Sequence, residues 1–143
     1  MPVRSLGHAV LKVRDLGRAE QFYHGVLGLP IATRSERMTF FTLGNHHDFA
    51  VMAMGEDAPA ADPKGVGLLH VAFNVGDSVE ELRAMKERLE AHGVEVDRMV
   101  DHNVSNSLYL KDPDGNGVEL YVDTSDAWKQ DPHVLVGGKP LTL

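Results

Sequence analysis

Cysteine is absent from the 143 residues of the chain. Disulfide bonds, thiolate nucleophiles and sulfur-ligated metal sites are therefore excluded, and any bound metal must be held by nitrogen and oxygen atoms. No run of apolar residues approaches the roughly 18 that are needed to cross a bilayer. The first ten residues also lack the apolar segment of a secretory signal. We therefore expect a cytoplasmic protein that makes no membrane contact.

The chain also has no excess of basic residues. It contains 14 Lys and Arg against 21 Asp and Glu, which gives a net charge of -7, and the basic residues are scattered along the sequence. This distribution argues against binding to nucleic acid or to an anionic membrane. A small neutral or weakly acidic partner fits better. The length and the 43% apolar content are typical of one compact domain, residues 1–143.

Two segments of the chain share one pattern. Residues 8–15, HAVLKVRD, and residues 70–77, HVAFNVGD, both consist of histidine, three apolar residues, any residue, valine, any residue and aspartate. Each segment leads into an amphipathic helical pattern, so the sequence predicts a duplicated module. The opening histidine occurs at equivalent positions in the two modules, as His8 and His70.

Helix signals follow both repeats. Asp15 is a candidate N-cap in the first module, and the apolar periodicity there ends at Gly28. In the second module Ser78 and Glu81 form the pattern of a capping box, and Gly93 is typical of a helix end. We therefore expect one amphipathic helix in each module, packed against that module's strands.

Short strand signals follow each helix, so each half is predicted to have the order β-α-β-β-β. These later strands are predicted at residues 31–35, 38–43, 47–54, 94–99, 105–111 and 117–122. The domain is expected to comprise module one at 5–54, a linker at 55–67, module two at 68–123 and a tail at 124–143. The tail matches neither repeat, and we expect it to pack over a sheet or at a sheet edge.

Three polar residues lie on strands whose neighbours are apolar: His8, His70 and Glu119. Each could simply face solvent on an alternating strand. Considered together, two equivalent histidines and one carboxylate form the two-His-one-carboxylate set that binds a divalent metal and leaves positions open for substrate. Fe(II) is typical of this set, and Mn(II) or another divalent metal also tolerates it.

These motifs resemble the vicinal oxygen chelate superfamily, which includes glyoxalase I, bleomycin and fosfomycin resistance proteins and type I extradiol dioxygenases. The resemblance covers about residues 5–123. It rests on HAVLKV at 8–13, AEQFYHGVLGL at 19–29, HVAF at 70–73 and YLKDPDGNGVELY at 109–121. It implies an α+β fold in which two βαβββ modules form a curved mixed sheet, or open barrel, around a metal site. It also implies metal ligation by His8, His70 and Glu119.

Extradiol dioxygenases resemble this chain at three further places. Their histidine next to the metal site occurs in a His-x-x-Ala segment, which His47 opens here. Their tyrosine ten residues before the ligand glutamate matches Tyr109. His102 is the nearest counterpart of another histidine, with looser spacing. The resemblance therefore implies catalytic roles for His47, Tyr109 and His102, a small aromatic diol as substrate, and O2 as the second reactant.

Other members of the superfamily remain as alternatives. Glyoxalase I has a fourth ligand, a glutamate, at the end of module one, where the sequence repeat places Asp48 opposite Glu119. A glyoxalase-like or epimerase-like lyase or isomerase therefore stays open, as does a small-molecule binding or resistance protein. A phosphonate site would require a cluster of Lys or Arg, and none is visible in the sequence. Sheet edges of such modules favour pairing, so a homo-oligomer is also open.

Overall fold

The protein is described by a computed structural model that covers residues 1–143. The chain divides into two compact units, one made of residues 1–62 with 112–116 and the other of residues 63–111 with 117–143. Each unit contains one mixed sheet and one main helical segment. The predicted α+β fold is confirmed. The single domain and its module boundaries stay predictions.

The first unit has a four-stranded sheet in the order β1-β4-β3-β2. Strands β1 and β4 are parallel, and the other pairs are antiparallel. The helix begins after Asp15, whose side chain accepts a hydrogen bond from the Arg18 amide, as predicted for an N-cap. It then continues as a π-helical turn. The elements are β1 Ala9–Val13, α1 Leu16–Glu20, the π-helical turn Gln21–Val26, β2 Ile31–Arg34, β3 Met38–Phe41 and β4 Phe49–Ala53.

Aromatic packing holds the helical segment against this sheet. The ring of Tyr23 lies 4.8 Å from that of Phe49 and 6.1 Å from that of Phe41, measured between centroids, and all three side chains are buried. The Tyr23 hydroxyl donates to Oδ2 of the buried Asp112 at 2.7 Å. This bond satisfies two polar groups that would be costly to bury alone.

The second unit has a five-stranded sheet in the order β5-β8-β7-β6-β9. The capping box of Ser78 and Glu81 opens α2 as predicted, and Gly93 follows the helix with a φ of 71°. Helix α2 packs against β5, β7 and β8. The elements are β5 Val71–Gly76, α2 Val79–Ala91, β6 Arg98–Asp101, β7 Ser105–Lys111, β8 Gly117–Asp123 and β9 Lys139–Pro140.

In the second unit, one strand was predicted with the wrong bounds, and one prediction about the tail is confirmed. The strand expected at 94–99 forms instead at Arg98–Asp101, because its register is set by pairing with β7 across the turn at Asn103, where φ is 72°. The tail reaches the sheet as β9, which pairs with β6. The expectation that the tail packs at a sheet edge is therefore confirmed.

The second sheet has two chemically different faces. On β8, Val118, Leu120 and Val122 are buried, whereas the alternate residues Glu119 and Tyr121 are half-buried. The strand register places Arg98 beside Tyr109 and Tyr109 beside Glu119, so these three residues share the second face, which we call the site face. Each of the two sheets stays open. None of the helices has the length and apolar character needed to span a membrane.

Candidate metal and acid-base site

The site face of the second unit joins His70 to Glu119. His70 directly precedes β5, and the parallel pairing of β5 with β8 places Ala72 beside Glu119. The Nε2 atom of His70 lies 2.9 Å from Oε2 of Glu119. The other carboxylate oxygen, Oε1, accepts a hydrogen bond from the Ser107 hydroxyl at 2.6 Å. The glutamate is thus held in one orientation by its two neighbours.

This pair of side chains fits a divalent cation. An imidazole nitrogen and a carboxylate oxygen bound to one ion at about 2.1 Å, and at right angles, are about 3 Å apart. The 2.9 Å between the His70 and Glu119 atoms matches that separation. The hydrogen bond from Ser107 is of the kind that orients metal-ligating carboxylates. The pair would supply two of the three predicted ligands.

Tyr109 and His102 lie next to this pair. The Tyr109 ring packs edge-on against the His70 ring, with 5.6 Å between centroids. The Tyr109 hydroxyl oxygen lies 2.7 Å from His102 Nε2, and His102 Nδ1 lies 3.4 Å from the Gly137 carbonyl oxygen. Because a carbonyl only accepts, the second contact favours the tautomer with hydrogen on Nδ1. Nε2 then accepts the hydrogen of the Tyr109 hydroxyl.

The environment of Tyr109 keeps its hydroxyl protonated. Partial burial raises the pKa of Tyr109, and the nearby negative charge of Glu119 raises it further. The Arg98 guanidinium, whose Cζ lies 4.2 Å from the centroid of the Tyr109 ring, opposes the shift. Tyr109 is therefore a hydrogen-bond donor at neutral pH.

A second cluster of histidines lies in the first unit. The rings of His8 and His47 are 4.0 Å apart between centroids, and His47 also packs edge-on against Phe40 at 5.4 Å. His46 Nδ1 lies 2.6 Å from His47 Nδ1. Solvent exclusion lowers the pKa of His47, and the positive charges that His8 and His46 can carry lower it further. His47 is therefore a neutral imidazole that can accept a proton at neutral pH.

Asp48 is not the equivalent of Glu119, contrary to the sequence alignment. In the first unit Ala9 and Val10 pair with Phe49 and Ala50, and in the second Val71 and Ala72 pair with Val118 and Glu119. The position equivalent to Glu119 is therefore Ala50. Asp48 instead closes the preceding turn, since its Oδ2 accepts hydrogen bonds from the Leu43 and Asn45 amides at 2.6 and 3.3 Å.

The structure thus groups the predicted residues in two sets. One set, in the second unit, joins His70, Glu119, Tyr109 and His102, and the other, in the first unit, joins His8 to His47. Within the chain, no group of three or more His, Asp or Glu side chains is arranged to hold a metal ion. The three-ligand set of His8, His70 and Glu119 therefore stays a prediction.

Sequence reasoning missed two residues of the site face. Ser107 contacts Glu119, and Arg98 contacts Tyr109. Ser107 could have been found, because it lies two residues before Tyr109 on one strand and so shares its face. Arg98 could not, because it lies within the predicted strand 94–99 but its place beside Tyr109 depends on the register between two strands, which the sequence does not show.

A family model described as the "Glyoxalase/Bleomycin resistance protein/Dioxygenase superfamily" matches residues 5–120. The chain is 34% identical to a catechol-2,3-dioxygenase of Bacillus subtilis over 128 residues, which cover 88% of this chain and 44% of that protein. It is 36% identical to biphenyl-2,3-diol 1,2-dioxygenase 3 of Rhodococcus globerulus over 123 residues, which cover 82% of this chain and 63% of that protein. The chain thus spans less than two thirds of either relative.

A solved structure gives the same fold. The crystal structure of a lactoylglutathione lyase from Agrobacterium tumefaciens superposes with a TM-score of 0.66 at 28% identity, and the match covers 85% of this chain and 96% of that one. The fold is therefore shared by proteins whose names denote different reactions, and the side chains of the site must decide between them.

Proposed function

Because the chain belongs to the glyoxalase/bleomycin resistance protein/dioxygenase superfamily, we propose that it is a metal-dependent extradiol dioxygenase acting on a catechol-type diol with O2. The observation that carries the proposal is the pairing of His70 with Glu119, flanked by the hydrogen-bonded Tyr109 and His102. The similarity to two dioxygenases at 34% and 36% identity supports it.

The proposed metal is Fe(II), held by His8, His70 and Glu119; Mn(II) is also compatible with this ligand set. When bound, the ion would lower the proton affinity of the diol and hold the diol and O2 side by side. A divalent ion held by two neutral imidazoles and one carboxylate would keep a net positive charge at the site. The anionic form of a diol would therefore be favoured there.

The residues of the second unit would position the substrate. Tyr109 has a protonated hydroxyl directed at His102, and both lie beside His70 on the site face. When a diol binds, the single hydroxyl hydrogen would turn from His102 to a substrate oxygen. His102, in its other tautomer, would then donate from Nε2 to the Tyr109 oxygen and fix its orientation. A donor that is already held near the substrate oxygen stabilises the negative charge that develops on that oxygen.

His47 would move the proton. It is neutral at neutral pH and packs against His8, which is itself a proposed ligand. A neutral imidazole beside the diol can accept the proton that the diol loses and return it when the ring opens. His47 would thus act as the general base and then as the general acid.

We propose further that a second copy of the chain completes the metal site. His8 is exposed, and apolar side chains near both ligand histidines are exposed as well, with Val10 at 44%, Leu68 at 63% and Leu69 at 77%. Exposed apolar side chains of this kind favour association. In a two-fold dimer, His8 of one copy would join His70 and Glu119 of the other.

Mixing two inactive variants tests this arrangement. His8→Ala and Glu119→Ala should each lose metal as pure proteins. Refolded together, they should regain about a quarter of the wild-type metal and activity, because half the dimers are mixed and one of their two sites is intact. No recovery in a mixture that sedimentation shows to contain mixed dimers would contradict ligation between copies.

The activity itself is tested by oxygen uptake. Protein loaded anaerobically with Fe(II) and then mixed with catechols in air should consume O2 and form a yellow ring-opened product. Protein without added metal is the control. If the iron-loaded protein consumes no O2 with any of a panel of alkyl, aryl and carboxyl catechols, the dioxygenase proposal is wrong.

A glyoxalase-like isomerase is the second candidate, favoured by the structural similarity to the lactoylglutathione lyase. Such chemistry needs carboxylate bases at the metal. The position equivalent to Glu119 in the first unit is Ala50, which cannot act as a base. An assay with the thiol adduct of methylglyoxal and Ni(II)- or Zn(II)-loaded protein distinguishes the two reactions.

A further inference from the structure

We propose that a cavity beside Tyr109 binds an anionic substituent of the substrate, so that the preferred diol carries a carboxylate. This inference rests on the proposed function and deepens it. The cavity has a volume of about 510 Å³ and belongs to the second unit. Its lining includes Arg98, His102, Lys139, Val100, Gly137 and Pro140. Three of these side chains are basic, and none is acidic.

The strand register places this cavity in line with the metal-ligand pair. Glu119 pairs with Tyr109, and Tyr109 pairs with Arg98, so the three side chains form one row across β8, β7 and β6. Neighbouring strands are about 4.8 Å apart, which puts the backbone of Arg98 about 10 Å from that of Glu119. A diol at a metal held by Glu119 would therefore lie beside Tyr109, with its ring substituent directed toward Arg98.

Arg98 is available for an anion. Its guanidinium lies over the Tyr109 ring, with Cζ 4.2 Å from the centroid, and makes no ion pair with a carboxylate. Stacking on the ring leaves the edge of the guanidinium free to donate two parallel hydrogen bonds. Lys139 is less available, because its Nζ lies 3.8 Å from Asp101 Oδ2.

The tail bounds one side of the cavity. Gly138 lies against the cavity wall, where an added Cβ would be 3.0 Å from Val100 Cγ1 and 3.2 Å from His102 Nδ1. The tail backbone therefore approaches His102 closely and closes one side of the cavity.

Two catechols that differ only in the carboxylate of the side chain test the proposal through their steady-state kinetics. For the iron-loaded protein, kcat/KM for 3,4-dihydroxyphenylacetate should exceed that for 4-methylcatechol. Arg98→Gln should lower the ratio of kcat/KM for the acid to kcat/KM for 4-methylcatechol about ten-fold or more, since a charged hydrogen bond is lost for the acid alone and any effect through Tyr109 is common to both substrates. Arg98→Lys should retain part of the preference. The control Arg83→Gln removes the same charge from an exposed position on α2 and should change neither substrate.

Calorimetric titration with phenylacetate and phenylacetamide tests the anion site independently of the dioxygenase reaction. The acid should bind more tightly than the amide, and Arg98→Gln should abolish the difference. If no catechol is turned over but this difference persists, the proposed reaction is wrong and the anion site stands. Equal affinity of acid and amide, or a preference that Arg98→Gln does not change, would overturn the anion site, even in an active dioxygenase.

Discussion

Glu119→Gln is expected to yield a folded protein that no longer retains a divalent metal and has no ring-cleaving activity. The substitution keeps the size of the side chain and can still accept from Ser107, but it removes the only negative charge of the proposed ligand set. A neutral amide is a much poorer ligand for Fe(II) than a carboxylate. Elemental analysis after desalting and circular dichroism measure metal content and folding on the same sample.

His8→Ala and His70→Ala should lose metal in the same way. His92→Ala is the matched control, because His92 lies at the end of α2 and its Nδ1 contacts the Arg88 carbonyl at 2.8 Å. It should keep the wild-type metal content. If two of the three ligand variants retained metal while folded, the ligand assignment would be wrong.

His47→Phe is expected to retain metal and to lower kcat by about 10² to 10⁴. Phenylalanine preserves the ring packing against His8 and Phe40 but cannot accept a proton. The loss should therefore appear in turnover, while binding of the substrate changes little. Steady-state oxygen uptake gives kcat and KM, and elemental analysis gives the metal content.

His46→Phe provides the matched control for that variant. His46 is exposed and contacts His47 through Nδ1, so its replacement should affect turnover far less. Loss of metal in His47→Phe would make His47 a ligand instead of a base. Equal loss of turnover in both variants would assign the effect to the structure of the loop and not to proton transfer by His47.

The features that sequence predicted well are those with local causes. Asp15 caps α1, and Ser78 with Glu81 caps α2, because each cap depends only on residues three positions apart. The duplicated HAVLKVRD and HVAFNVGD patterns correctly predicted that the two units share one strand order, with His8 and His70 preceding equivalent strands. Periodicity and capping were sufficient for these assignments.

The errors arose where pairing between distant strands decides the position. Aligning the two late strands by their Gly-Asn pairs placed Asp48 opposite Glu119, yet the turn before β4 is two residues longer than its counterpart, and Ala50 takes that position. A difference in turn length shifts every following residue. Similarly, the alternating residues of 94–99 suggested a strand, whereas pairing with β7 begins at Arg98.

The partners of His102 also lay beyond the reach of the sequence. Its contact with Tyr109 joins a turn to a strand, and its other nitrogen approaches Gly137, 35 residues later in the tail. The tail matches neither repeat, so no pattern predicted that it would reach this side chain. The proposed anion-binding cavity involves the same part of the tail, since Gly137 and Lys139 line it together with Arg98.

The central claim is that two imidazoles and one carboxylate hold a divalent metal, and X-ray absorption of the Fe(II)-loaded protein tests it most directly. The spectrum should show nitrogen and oxygen ligands only, with scattering from two imidazole rings, and His70→Ala should remove the ordered signal. A protein that fails to bind Fe(II), or a spectrum without imidazole scattering, would contradict the account.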